Sequence, residues 1–132
     1  MFIESITGDV VTKALDVAAF NHKVIANNIA NAGVKGYSVA RLNFDAVMQE
    51  LRSLVDTDTD TDTDADAASY RDALNRINEK EMVSYASLPD GVSIEAEMMQ
   101  LTENTLRYQT LLRARGELGE ILKSAISGGG RG

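Results

Sequence analysis

At 132 residues the chain holds one domain's worth of sequence, and two separately cored domains would be hard to fit. Its 44% apolar residues include only three Phe, four Tyr and no Trp, with a single Pro, which favours long helices packed in seams over a rich central core; the expected class is mainly α. The net charge of -7 is local: six aspartates alternate from Asp56 to Asp66, the other 14 acidic residues face 13 basic ones with no basic patch for nucleic acid, and the absence of cysteine excludes disulfides and thiolate zinc sites.

From Gly8 onward, Val11, Leu15, Ala18, His22, Ile25 and Ile29 alternate at spacings of four and three. That heptad-like seam predicts an amphipathic helix over 8–31, shaped to lie along another helix. The seam ends at Asn31, and Gly33 and Gly36 provide the way out. In the turn and short middle segment, 32–55, Ser38 to Asn43 is ambiguous between loop and strand. Phe44, Val47, Met48 and Leu51 then predict a short second helix.

The tract DTDTDTDTDADA begins at Asp56, and 56–68 reads as an acidic, low-complexity, disordered linker: poor helix formers, mutual repulsion, and nothing apolar to offset ordering. Across 69–91 a weak helical spacing runs through Tyr70, Leu74 and Ile77 and breaks at Pro89 and Gly91. The strongest pattern is last. Ile94, Met98, Leu101, Thr105, Tyr108, Leu112, Arg115, Gly119, Leu122 and Ile126 keep the four-three alternation, predicting a helix over 92–127 with Ser93 as N-cap and Glu95 and Glu97 at the positive end of its dipole. The architecture expected is one domain over 1–132. Long N- and C-terminal helices form an antiparallel coiled-coil-like pair around a short, irregular, partly disordered middle.

Few residues suggest chemistry. His22 is the sole histidine, and without cysteines it lacks a ligand set, so packing or hydrogen bonding is its expected role. The Asp tract imitates the first half of a calcium loop, yet Gly at position 6 and Glu at position 12 are missing whichever aspartate is taken first. No catalytic, metal or cofactor-binding residue is expected. Asn27, Asn28 and Asn31 carry two readings: caps at a helix end, or buried amides that fix register in an apolar seam. The opening residues lack the charged and apolar regions of a cleaved signal, and no apolar run reaches the roughly 20 residues needed to span a bilayer. Taken alone, these features point to the cytoplasm.

The stretch LDVAAFNHKVIANNIANAGVKGY, Leu15 to Tyr37, resembles the signature of the flagellar axial proteins of rod and hook, with Ala26, Asn27, Asn28, Ile29, Ala30, Asn31, Gly36 and Tyr37 at the patterned positions. Val92 to Gly128 is similar to the terminal helix of a proximal-rod member, with Glu95, Glu97, Met98, Glu103, Asn104, Tyr108, Gln109 and Ile126 on the pattern. Two departures stand out: Val34-Lys35 occupies a place where the family often has Thr-Pro, and the Asp-Thr tract has no expected counterpart.

The resemblance implies a non-enzymatic structural subunit of the periplasmic flagellar rod. It would leave through the flagellar type III export apparatus without signal cleavage, and would assemble with itself, other rod proteins and the rod-MS-ring junction protein into a helical tube that carries torque. No cofactor, nucleic acid or membrane insertion is implied. Leu15, Ile25, Met98, Leu101, Tyr108, Leu112 and Leu122 would form the seams, the Asn cluster would set the helix end, and Gly36-Tyr37 would be the pivot. The competing reading is a generic helical interaction module or a type III secreted adaptor outside the flagellum. A metal-dependent enzyme built on the Asp tract is the weaker third, since catalytic groups need fixed positions.

Overall fold

The computed structural model describes residues 2–56 and 64–117. Its elements, in order, are α1 (Phe2–Ala30), β1 (Val39–Leu42), α2 (Phe44–Asp56), α3 (Asp64–Arg76), a 3-10 turn (Glu79–Met82), β2 (Val83–Ala86) and α4 (Ile94–Gly116). The mainly helical class and the two long terminal helices are as expected. α1 is the spine: α4, α2, α3 and β1 all pack against it.

The pairing of α1 with α4 is antiparallel, because Asn28 meets Glu97 while Asn21 meets Asn104. The same seven-residue step sets Ala14 opposite Leu111, both fully buried in the hydrophobic core. On α1 the buried band is wide. Val10, Ala14, Val17, Asn21, Val24 and Asn28 form one line, and Val11, Leu15, Ala18 and Ile25 form the next. The predicted seam was the second line, one residue away from the first, and its His22 is exposed.

α4 shows the same offset. The face toward α1 carries Glu97, Asn104, Leu111 and Ala114, while Ile94, Met98, Tyr108 and Leu112 are exposed and Leu101 is half-buried. Within the chain, then, the α4 seam differs from the stripe that periodicity picked out. The reason is polar pairing: a hydropathy pattern places Asn and Glu outside, whereas here they meet one another across the interface. Leu122 lies outside the described residues.

Among its described residues the middle segment carries two helices and a strand pair. Asn43 Oδ1 accepts from Ala46 N at 3.1 Å and starts α2. α2 then buries Phe44, Val47, Met48 and Leu51 on the helical spacing read from sequence. Within Ser38–Asn43 a strand forms because a partner lies far along the chain: β1 pairs antiparallel with β2, Val39 opposite Ala86 and Leu42 opposite Val83. Helix occupies both ends of the expected linker, α2 reaching Asp56 and α3 starting at Asp64, where Ala65, Ala67 and Ala68 supply helix propensity. Residues 57–63 lie outside the described residues. α3 and the residue after it bring Leu74 and Ile77 into the core, and Lys13–Glu79 at 3.2 Å and Arg71–Asp9 at 3.7 Å tie this region to α1.

Candidate functional site

The motif at the end of α1 forms a polar knot with β1 and the start of α4. Asn28 has no exposed surface, and its primary amide uses all four of its hydrogen-bonding positions. Nδ2 donates to Ala40 O at 2.7 Å and to Glu97 Oε1 at 2.8 Å; Oδ1 accepts from Ala40 N at 3.0 Å and from Tyr37 Oη at 2.9 Å. Toward Ala40 the side chain behaves as a neighbouring strand would, taking the N–H and offering one in return. It closes the side of β1 turned away from β2.

Glu97 is the second half of the knot. Only 1% exposed, it accepts from Arg41 Nη2 through Oε2 at 2.6 Å and from Arg41 Nη1 through Oε1 at 3.2 Å, besides the Asn28 bond. A bidentate guanidinium–carboxylate pair of this kind is among the stronger hydrogen-bonded contacts, and its partner amide completes the carboxylate's needs. Ser93 caps α4 one turn earlier, its Oγ accepting from Ala96 N at 3.2 Å, so the helix starts where Glu97 must face inward.

Gly36 explains how Tyr37 arrives. Tyr37 N donates to Val34 O at 3.3 Å, closing a turn in which Gly36 holds φ +79, the third turn position where glycine avoids a Cβ clash. Val34 and Lys35 thus occupy the first two positions of a tight turn. The turn returns the chain so that the Tyr37 hydroxyl meets an amide nine residues earlier.

The three asparagines of the motif divide. Asn31 caps its own helix, Nδ2 donating to Asn27 O at 2.7 Å. Asn27 is exposed, as are Ala26 and Ala30, with Ile29 half-buried. Asn28 alone crosses to other elements, and within this chain. A second polar rung lies one heptad back: Asn21 Nδ2 donates to Asn104 Oδ1 at 2.9 Å, and Asn104 Nδ2 donates to Ala18 O at 2.8 Å. The sequence reading missed Asn21 and Arg41. The missed signal was the seven-residue spacing shared by Asn21–Asn28 and Glu97–Asn104.

The knot acts as a bracket that ties α1, β1 and α4 together, and among the described residues no buried side-chain nitrogen or oxygen lacks a hydrogen-bond partner. Among the described residues no group of three or more His, Asp or Glu side chains is placed to hold a metal, and no helix is long and apolar enough to cross a membrane. What the knot leaves accessible is the outer face of α4, with Met98, Met99, Leu106, Tyr108 and Leu112 exposed.

No family model matches the chain, and no solved structure matches it. Among curated proteins it is similar to the flagellar basal body rod protein FlgB of Bacillus subtilis (strain 168), 28% identical over 116 residues that cover 88% of this chain and 89% of that one. A match of 116 residues is too long to be confined to the two terminal stretches, so the similarity to that rod protein includes residues of the middle segment.

Proposed function

We propose that the chain acts as a single rod-protein domain, a structural and non-enzymatic subunit of the flagellar basal-body rod. The observation that carries this reading is similarity to FlgB over 88% of the chain. The exposed apolar face of α4 supports it, since a run of large apolar side chains left in water marks an interaction surface. In the finer reading, copies and other rod subunits, including the junction protein at the MS ring, pack against that face. The subunit leaves by the flagellar export apparatus and contributes to the periplasmic tube that passes torque to the hook.

Met98, Leu101, Tyr108 and Leu112 make the intersubunit seam in this reading. Leu15 and Ile25, with the Asn28 knot, hold the α1–α4 pair that presents it. Each large apolar side chain buried on assembly contributes roughly 1.5 to 3 kcal/mol, so a few per subunit drive association.

The test is genetic and biochemical. Deleting the gene abolishes swimming, and the tagged chain co-purifies with isolated basal bodies. A Met98→Asp/Leu112→Asp chain, folded as a monomer, fails to restore motility. Normal swimming of the deletion strain, or absence of the chain from basal bodies, refutes the reading and favours a helical module outside the flagellum.

A further inference from the structure

α4 carries two faces that could lie on α1. One is the face observed, Glu97, Asn104 and Leu111 at seven-residue steps; the other is the stripe Ile94, Met98, Leu101, Tyr108 and Leu112, which holds more apolar surface and keeps the four-three alternation with Thr105 as its one polar position. At 3.6 residues per turn the centres of the two faces lie roughly 80° apart around the helix. Burial of apolar area alone favours the stripe, yet α1 takes the polar face.

We infer that Asn21 and Asn28 select which face of α4 packs against α1, and so keep the apolar stripe free. Both amides are buried on α1, Asn21 at 4% and Asn28 at 0% exposure. Turned toward them, the stripe would offer Met, Leu and aromatic carbon. The Asn21 amide would lose its partner Asn104 Oδ1, and Asn28 would lose Glu97 Oε1. An unmet buried donor is more costly than a hydrogen bond is favourable, so the pairing that satisfies both amides wins. The rungs also fix register. Sliding α4 by one heptad brings Asn104 opposite Ala14 in one direction and Leu111 opposite Asn21 in the other, and either leaves an amide against an apolar side chain.

That the freed stripe then meets a neighbouring subunit rests on the rod reading. Face selection does not, and it is testable in the dilute monomer. The chain has no cysteine, so a thiol introduced as Met98→Cys or Leu112→Cys reports the stripe directly.

In the otherwise native chain both thiols label rapidly. In N21L/N28L, where α1 becomes apolar, α4 turns the stripe inward and labelling slows on the order of tenfold for each lost rung. N21L/N104L makes the first rung apolar on both sides while Asn28 keeps Glu97, so beside N21L alone it holds the native face and labels rapidly. Unchanged labelling in N21L/N28L with helix content retained overturns the inference. Should N21L/N28L lose its helix content, N21L alone is read in the same way. Loss of helix in both also overturns it, because the stripe is then no alternative face at all.

Discussion

Asn28→Ala isolates the knot. The substitution leaves Ala40 N–H and C=O and the Tyr37 hydroxyl without their partner, and takes from Glu97 Oε1 one of its two donors. Tyr37 is only half-buried, and Glu97 keeps Arg41, so the two backbone groups of Ala40 dominate. At about 1 to 3 kcal/mol for each buried group left unmet, and with some relief from water entering the vacated space, the expected loss is about 3 kcal/mol. Asn28→Asp sharpens the test. It keeps Oδ1 as acceptor for Ala40 N and Tyr37 Oη, but it sets a second carboxylate against Glu97 Oε1, now 2.8 Å from the amide nitrogen. Like charges at that distance raise the folded-state pKa of the pair. The stability of Asn28→Asp therefore rises as pH falls from neutral toward roughly 4, where one shared proton can bridge the two groups. Urea unfolding followed by far-UV circular dichroism at several pH values, with the parent chain beside each variant, measures both effects. A loss under 1 kcal/mol in Asn28→Ala, or an Asn28→Asp curve parallel to the parent's, would refute the assignment of Asn28 as a buried bracket.

Neighbouring residues on α4 should respond in opposite ways. Leu111→Ala opens a cavity in the core and costs about 2 to 5 kcal/mol, whereas Leu112→Ala changes monomer stability by less than about 0.5 kcal/mol while impairing motility; chemical denaturation and a swimming assay check the pair. Gly36→Ala strains a φ of +79 with no clash in its way, so the expected cost is about 1 to 2 kcal/mol, while Gly33→Ala, where φ is not positive, is close to neutral by the same assay. Burial raises the Glu79 carboxyl, but a hydrogen bond from its own backbone N–H and the charges of Lys13 and Lys80 outweigh that and hold it below its usual range. Its contribution is therefore complete above the unfolded-state pKa and is lost as pH falls through the lower folded value. Glu79→Gln should flatten the acid side of the stability profile by under about 1 kcal/mol, as suits a pair near the surface.

The long helices were legible because their apolar spacing is strong, and the Ser93 cap and the helix-breaking Asn31–Gly36 stretch marked two of their ends. The rotation of those helices was not. On α4 the predicted seam sits one residue C-terminal of the observed one, and on α1 it is the second of two buried lines, because apolar periodicity places Asn21, Glu97 and Asn104 outside while their partners draw them in. A period analysis weighs each residue against water, whereas burial of an amide depends on what faces it. The same limit hid β1, whose partner strand begins 41 residues after it ends at Leu42. Motif resemblance made up part of the difference by marking Asn28, Gly36 and Tyr37 together, although it did not say that they touch. Their contact gives the motif a physical content: a glycine turn returns a tyrosine and a strand to one amide, and that amide reaches the carboxylate orienting the last helix. On the rod reading, the residues at the end of the first helix thus act on assembly indirectly, by deciding which side of the last helix remains in water.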